Sequence, residues 1–344
     1  MESYKKILTL FLIIIVIISL ILAVFRLDLI NLYDDNSKDS IDVSTNPLLW
    51  KIEGERPSYV YGSIHVGTEE ILTLPDVVYN AINNVDVVYT EVKLDIETQM
   101  QYLSYYYLPS GQTLEEILPQ DVENNLRSYL EGKNQSFEDY NSYKMWFIYS
   151  VLTQIENPDY FQIAGLDKYI WNMAVDKGKI TNGIETYEEQ LSILDDLTIE
   201  EQVRFLNDSL NEITSENGYS IEPLVDAYLD GDLEAIMELE NQDYNESDPL
   251  HNKILTRTLT NRNYNMSQRI SDLISNNPDT NYFFTVGAAH LYGGEGVLQL
   301  LENEGYTITK VHFTKCSSCG CDKDETRINN RCYISYDEQY SSLY

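Results

Sequence analysis

The sequence predicts an α/β fold: a mixed, largely parallel central sheet flanked by helices, with a large helical insertion and one N-terminal transmembrane helix before it. The first observation is a strand, a helix and a second strand within residues 58–92, the pattern of a βαβ unit with parallel strands. The second is a short apolar run followed by Gly-x-x-His, which occurs twice, more than two hundred positions apart. The third is an uncharged run at residues 7–25, long enough to cross a bilayer.

Composition places the chain among globular proteins and argues against nucleic-acid binding. Of its 344 residues 43% are hydrophobic, enough to bury a sizeable core, so the chain is not a disordered one. The 23 Lys and Arg against 56 Asp and Glu give a net charge of −33. A field of this sign repels phosphate backbones, so we expect no nucleic-acid partner. It attracts cations and suits a solvated extracellular surface.

The N-terminus is interpreted as an uncleaved membrane anchor, residues 1–26, followed by an acidic tether, residues 27–46. As a helix, residues 7–25 span roughly 28 Å, close to the thickness of the hydrocarbon layer. Lys5 and Lys6 precede this run and acidic residues follow it. The pattern predicts a single-pass protein of the cell membrane, with its N-terminus inside and its body outside the cell. A cleaved signal peptide is the alternative, although no Ala-x-Ala site is evident.

The globular body is predicted to occupy residues 47–314. Two strands, residues 48–52 and 58–64, flank a turn that contains Gly and Pro. The spacing of apolar residues predicts a helix over residues 75–85, whose Pro and Asp suit a first helical turn. Residues 86–92 follow as a buried strand.

The middle of the body alternates long helical stretches with a short strand. Residues 95–160 are Tyr-rich and predicted to be helical, most clearly at residues 137–155, where the aromatic stripe is interpreted as packing. A helix over residues 168–177 leads to a third strand, residues 179–185, which ends on a carboxylate. Residues 188–276 are predicted to form successive helices.

The C-terminal part contains a second histidine turn and then a Cys-rich tail. A strand over residues 282–286 and a helix over residues 297–303 precede a last strand, residues 306–313. All four cysteines lie in the tail, residues 315–344. In an oxidising setting two disulfides fit them, with three possible connectivities, whereas Cys-x-x-Cys-x-Cys also suits zinc. The chain shows neither a P-loop nor a nucleophile-elbow serine.

Four polar residues follow the apolar parts of predicted strands: His65, Glu91, Glu185 and His290. If these strands are parallel, all four residues lie at the carboxyl edge of the sheet, where open α/β folds bind ligands. Two imidazoles and two carboxylates suit Zn²⁺, Mn²⁺, Co²⁺ or Fe²⁺, and such a metal would activate water for hydrolysis. A carboxylate left outside the metal shell could act as a general base. The alternatives are structural histidines and carboxylates that form ion pairs or helix caps.

Arg262 is a further candidate, because its guanidinium could hold a substrate carboxylate or an oxyanion. An arginine in such a place more often pairs with a buried acid. His251 and His312 lack the glycine turn and are interpreted as structural or exposed.

Several of these residues stand in short motifs that follow one another in the order known from one protein family. The motifs are Trp50-Lys51-Ile52-Glu53-Gly54, Gly62-Ser63-Ile64-His65, Glu91 at a strand end, Gly183-Ile184-Glu185-Thr186-Tyr187-Glu188-Glu189-Gln190, Arg262-Asn263 with Met266, and Gly287-Ala288-Ala289-His290-Leu291. Over residues 47–313 the chain resembles the TraB/PrgY/GumN family, which includes the Tiki membrane-anchored metalloproteases. The two Gly-x-x-His motifs and the Glu after the first are that family's hallmark, and the Cys-rich tail lies outside its pattern.

This resemblance implies an α/β core shared with ChaN-like and erythromycin-esterase-like proteins. It also implies proteolysis that depends on a divalent metal, with Mn²⁺ or Co²⁺ the expected ion and Zn²⁺ a further option. By the same resemblance His65, Glu91 and His290 carry over as metal ligands. Glu91, Glu185 and Arg262 carry over as catalytic residues. PrgY-type members are thought to block or sequester peptide pheromones, which is a different use of the same pocket.

Two functional hypotheses follow from the sequence. The first is a membrane-anchored, extracellular-facing metal-dependent peptidase that acts on a peptide or protein substrate. The second is a non-catalytic protein that binds and sequesters a peptide signal. Metal-dependent turnover distinguishes them, because a binding protein would deplete a peptide without producing fragments.

Overall fold

A computed structural model describes residues 46–215, 219–241, 245 and 247–312, together with the backbone of four short strands that follow. The predicted anchor and almost all of the predicted tether, residues 1–45, lie outside this part of the chain, and so do the four cysteine side chains. The disulfide and zinc interpretations of the tail therefore concern side chains beyond it. Within the described residues, no helix combines the length and the apolar character needed to cross a bilayer.

The domain is built on a mixed sheet. The strands are β1 (Leu49–Ile52), β2 (Ser58–Ser63), β3 (Val87–Thr90), β4 (Ile180–Gly183), β5 (Tyr282–Gly287), β6 (Ile308–Val311), β7 (Thr314–Lys315), β8 (Thr326–Ile328), β9 (Arg331–Ile334) and β10 (Asp337–Gln339). Across the main sheet their order is β10-β6-β1-β2-β5-β3-β4, and β7, β9 and β8 form a small separate sheet. The neighbours β2, β5, β3 and β4 run parallel, whereas β10, β6, β1 and β2 pair antiparallel.

The mixed α/β prediction is confirmed, but the sheet is less parallel than predicted. Among the described strands of the main sheet, three neighbouring pairs are parallel and three are antiparallel. The predicted βαβ unit has parallel strands, yet β5 lies between β2 and β3. All six residues of β5 are buried, which suits a central strand covered on both faces. The centre of the sheet is therefore completed by a strand that comes from far along the chain.

Helices fill the long connections between the parallel strands. The α-helices are α1 (Glu69–Leu72), α2 (Asp76–Asn84), α3 (Ile96–Tyr102), α4 (Leu114–Ile117), α5 (Gln120–Gly132), α6 (Met145–Glu156), α7 (Leu166–Asp176), α8 (Tyr187–Asp195), α9 (Ile199–Ile213), α10 (Glu222–Asp230), α11 (Leu233–Asn241), α12 (Pro249–Leu255), α13 (Asn261–Asn276) and α14 (Val297–Asn303). Turns of 3-10 helix lie at Leu103–Tyr106, Phe137–Asp139, Pro158–Tyr160 and Ala288–Leu291, and a π-helical turn at Thr256–Thr260 joins α12 to α13. The stretches between β3 and β4 and between β4 and β5 form the predicted helical insertion.

Some predicted boundaries were wrong for identifiable reasons. The helix predicted at residues 137–155 begins only at Met145. The backbone carbonyl of Ser142 accepts a hydrogen bond from Leu108, in the loop before α4, and that of Asn141 accepts one from Leu114, the first residue of α4. These tertiary bonds keep the segment out of the helix. The third strand is also shorter than predicted, since it ends at Gly183. The chain after β3 passes so close to this glycine that an added Cβ would lie 2.6 Å from the backbone nitrogen of Lys93.

Phe283 tests how far the domain depends on its central strand, because this side chain of β5 is fully buried. Phe283→Ala should lower the free energy of unfolding by about 3–5 kcal/mol, since it removes a large ring from a close-packed core. Urea unfolding followed by circular dichroism measures this change. The control is Ile180→Ala on edge strand β4, where Ile180 is 67% exposed. Ile180→Ala should change the free energy of unfolding by less than about 0.5 kcal/mol. Equal losses of stability in the two variants would contradict the assignment of β5 as the buried central strand.

Candidate functional site

The polar residues predicted to meet at the carboxyl edge of the sheet do meet there. His65 follows β2 by two residues, and Glu91 comes directly after β3. Glu185 follows β4 by two residues, and His290 lies in the 3-10 turn that follows β5. Because β2, β5, β3 and β4 are parallel neighbours, their ends place all four side chains along one edge. Arg262, in the first turn of α13, reaches the same place.

Arg262 lies between the two glutamates and forms an ion pair with each. Its Nη2 donates to Glu91 Oε2 at 2.5 Å and to Glu185 Oε2 at 2.7 Å, and its Nε donates to Glu185 at 2.9 Å. Gln190 Nε2 donates to the same oxygens, at 3.0 Å for Glu91 and 3.2 Å for Glu185. All these side chains are buried, so Arg262 rather than water stabilises the two carboxylates, and one negative charge remains in excess. Glu185 is thereby fixed as a partner of Arg262.

A π-helical turn positions Arg262. Residues 256–260 form this turn immediately before α13, and π turns inside helices are frequent at functional sites. The carbonyl of Thr258 in the turn accepts a further bond from Arg262 Nη1 at 3.3 Å. The guanidinium is therefore held by its own helix as well as by the two acids.

His65 is oriented by an acid that sequence reasoning did not single out. Its Nδ1 lies 2.7 Å from Asp167 Oδ2, and the other oxygen of Asp167 accepts a bond from Ser63 at 2.7 Å. A carboxylate on Nδ1 leaves Nε2 to face the site, the arrangement common for metal-binding histidines. Burial opposes protonation of His65, but the charge of Asp167 outweighs it and raises the pKa of His65 above its ordinary value.

His290 is oriented by a neutral amide instead. Its Nδ1 lies 2.6 Å from Asn263 Oδ1, and Asn263 Nδ2 donates to the carbonyl of Glu295 at 2.9 Å. The amide oxygen must therefore accept, so Nδ1 carries the hydrogen and Nε2 keeps its lone pair. Burial, reinforced by the positive charge of Arg262, lowers the pKa of His290 to about 3. Within the described residues, His290 Nε2 has no hydrogen-bond partner, and it lies 3.7 Å from Glu91 Oε1.

Gly287 leaves the space in which these groups converge. A Cβ at this position would lie 3.2 Å from Glu91 Oε1, 3.4 Å from His65 Nε2 and 3.5 Å from the ring of His290. Any other residue would fill this space with its side chain. The backbone N–H of Gly287 also donates to Glu91 Oε1 at 2.7 Å. The glycine of the second Gly-x-x-His motif is thus part of the site itself.

Both oxygens of Glu91 already have partners, namely the N–H of Gly287 on one side and Arg262 with Gln190 on the other. Arg262 and the neighbouring histidines outweigh the effect of burial and hold the pKa of Glu91 well below its ordinary value, so it is ionised. Among the residues that the structure describes, no group of three or more His, Cys, Asp or Glu side chains is arranged to hold a metal ion.

A pocket opens beside the two histidines. His65, Gly287 and His290 are among the residues that line it. A mainly apolar part of its wall comes from α10, α11 and the residue before α10: Ile221, Leu224, Tyr228, Ile236 and Glu240. The histidines therefore face a cleft that can receive an apolar group of a ligand.

The match to a known family covers this whole arrangement. The profile of the TraB/PrgY/gumN family matches residues 48–310, which include every strand of the parallel half of the sheet and all the site residues named above. The chain belongs to the TraB/PrgY/gumN family. The resemblance that its motifs indicate is thereby confirmed.

Relatives within the TraB/PrgY/gumN family are distant. The chain is 27% identical to "Metalloprotease TIKI1" of Xenopus tropicalis and 26% identical to that of Homo sapiens, over 76% of this chain and 61% of each relative. It is 23% identical to "Uncharacterized protein YbaP" of Shigella flexneri, over 73% of this chain and 89% of that protein. The chain thus spans about three-fifths of the length of both TIKI1 proteins. No solved structure matches it.

Sequence reasoning missed the residues that orient the site. Asp167 was not singled out, because it lies next to the start of the predicted helix over residues 168–177, and Gln190 and Asn263 appeared only as parts of motifs. For Asn263 the one available signal was its position next to Arg262. Two neighbouring polar residues at the start of a helix can each contact a different group of the same site. His251 is buried near Asp248, at 4.0 Å, and is not among the residues that build or line the site.

Arg262 gives a direct test of the buried ion pairs. Arg262→Leu should lower the free energy of unfolding by about 3–5 kcal/mol, because two buried carboxylates lose their counter-charge. The matched control is Arg269→Leu, two turns along the same helix, where Arg269 pairs with Glu189 and the two side chains are 37% and 40% exposed. That exposed pair contributes about 1 kcal/mol or less. Chemical denaturation measures both values, and similar losses in the two variants would contradict the central role of Arg262.

His290 should make stability depend on pH. Its folded pKa of about 3 lies below the ordinary 6.5, so between these values the unfolded chain binds a proton that the folded chain does not. Stability should therefore fall as pH drops below 6.5, by up to about 1.4 kcal/mol per pH unit from this group. Urea unfolding in chelator at pH 6.5 and pH 5 should show a smaller fall for His290→Gln than for the wild type. Parallel curves for the two proteins would refute the buried neutral imidazole.

Proposed function

We propose that the protein is a metal-dependent peptidase, anchored in the cell membrane with its domain outside the cell. The observation that carries the proposal is the pair of histidines at the ends of adjacent parallel strands. Asp167 lies beside Nδ1 of His65, and Asn263 lies beside Nδ1 of His290. The Nε2 atom of each ring is thereby left for a ligand beside Glu91. The metalloprotease names of the TIKI1 relatives support the same reaction class.

The residues present fit a divalent cation. His65, His290 and Glu91 would hold it, and the buried Nε2 of His290 without a partner in the described residues is the donor atom such an ion would use. When bound, the metal would polarise a carbonyl and lower the pKa of a bound water. Mn²⁺ or Co²⁺ is the proposed ion, and Zn²⁺ suits the same mixed nitrogen and oxygen donors.

The other residues have positioning roles in this proposal. Arg262 keeps Glu91 ionised and fixed, while Glu185 and Gln190 hold Arg262 and Glu91 in place. Asp167 and Asn263 set the ring planes of the two histidines. The excess of carboxylates over the single guanidinium favours a cation at this edge. The apolar wall of the pocket would exclude water from a bound peptide.

The proposed topology rests on the N-terminal sequence. Residues 7–25 would cross the membrane once, and basic residues before them would keep the N-terminus inside the cell. The acidic body would then face the outside, where the four tail cysteines would form two disulfides. A substrate would be an extracellular peptide or an extended segment of a protein.

One observation favours the alternative of a peptide-binding protein without catalysis. Both oxygens of Glu91 already accept hydrogen bonds within the described residues, so this carboxylate does not stand ready to take a proton from water. The pocket could still enclose part of a peptide. A protein of this kind would sequester its ligand and release it intact.

Metal titration combined with peptide digestion tests the proposal on the full-length protein in detergent. Calorimetry with Mn²⁺, Co²⁺ and Zn²⁺ should show one site, and metal should be required for fragments seen by mass spectrometry. His65→Ala, His290→Ala and Glu91→Gln should each abolish most binding and cleavage, because three protein ligands leave none to spare. Asp167→Asn and Asn263→Ala should weaken metal affinity by roughly 10–100-fold.

The control is His251→Ala, which removes a buried histidine outside the site and should keep both metal binding and cleavage. Depletion of peptide without fragments would favour the binding protein. Failure of the wild type to bind any of the three ions at micromolar concentration would overturn the metal-site proposal.

A further inference from the structure

An acid that takes no part in the Arg262 ion pairs lines the pocket. Glu240, near the end of α11, is only 4% exposed and lies in the wall that also contains Ile221, Leu224 and Ile236. Its Oε2 has no hydrogen-bond partner in the part of the chain that the structure describes. Glu91 and Glu185, by contrast, each form an ion pair with Arg262.

A buried carboxyl oxygen without a partner is unfavourable in an apolar wall, because its transfer from water is not repaid by a hydrogen bond. Burial raises the pKa of Glu240 well above its ordinary value, as expected for an acid without a cationic partner. No Lys or Arg is among the residues that line the pocket. The feature that would complete this environment is therefore a donor or a positive charge brought by a ligand.

We propose that Glu240 determines the specificity of the pocket, which takes a lysine side chain of a peptide. This inference rests on the proposed peptide ligand and holds for cleavage and for sequestration alike. The lysine stem is four methylene groups, which match the isoleucine and leucine wall, and its ammonium would meet Glu240. Arginine fits less well, because its five donors require more acceptors than one carboxyl supplies.

The pocket places this recognition next to the candidate chemistry. The helix that carries Glu240 packs against the 3-10 turn that carries His290, and residues of both line the same cavity. A lysine held by Glu240 would therefore bring the adjoining peptide backbone toward the histidine side of the pocket. Glu240 would act on the reaction by positioning, since it is not among the residues that surround Gly287.

The test uses the full-length protein and four peptide mixtures that are random except for one central position, fixed as Lys, Arg, norleucine or Gln. Binding is measured by calorimetry in chelator, and cleavage by mass spectrometry with Mn²⁺. The wild type should bind the Lys mixture at least about tenfold more tightly than the norleucine mixture, a difference of about 1.4 kcal/mol. Norleucine has a similar apolar stem without the charge.

Three variants separate recognition from folding. Glu240→Leu should lose the Lys preference while keeping or raising the melting temperature, because it removes an unpaired buried acid. Glu240→Gln should reduce the preference to within about threefold, since it keeps an acceptor without the charge. Glu238→Gln is the matched control, an exposed glutamate on the same helix, and should behave as the wild type.

Several outcomes decide the matter. A wild type without preference for Lys over norleucine would overturn the inference, and so would an unchanged preference in Glu240→Leu, which would show a purely structural acid. A Lys preference in binding without any cleavage would support the inference and contradict only the proposed peptidase. Failure to bind any of the four mixtures would overturn both.

Discussion

One guanidinium group ties together chain segments that are far apart in sequence. Arg262 reaches from α13 to the ends of β3 and β4, where Glu91 and Glu185 would otherwise repel each other in a buried space. Two acids beside each other without a counter-charge would take up protons or separate, and either response would dismantle the edge of the sheet. The geometry of the histidines depends on this pair of bonds, because Glu91 also accepts from Gly287 and lies beside His290.

The two histidine turns share a sequence pattern but have opposite electrostatic surroundings. Asp167 favours the charged form of His65, whereas burial and Arg262 favour the neutral form of His290. A site with two equal imidazoles would lose both to protonation over the same pH range. Here the two rings take up protons over different pH ranges. Different residues behind each ring create this division.

Much of the fold and the membership of the site could be predicted from the sequence. Buried runs and Gly-x-x-His turns identified β2, β3 and β5 and placed their polar residues at one edge. The position of β5 between β2 and β3 could not be predicted, because local patterns do not specify which strands are neighbours. The contacts of Asp167 with His65 and the solitary burial of Glu240 depend on distant packing, and an ordinary Asp or Glu in a helix gives no signal of either.

The placement of β5 has a consequence for how the protein is made. The ribosome releases β2 and β3 long before residues 282–287, so the centre of the sheet stays open while the whole helical insertion is synthesised. His290 and its glycine arrive with the last central strand, so the site can form only after residue 290 has been synthesised. A nascent chain therefore exposes unpaired strand edges and needs protection from aggregation. Because His65 and Glu91 are made long before His290, the order of synthesis delays assembly of the site until the helical insertion is complete.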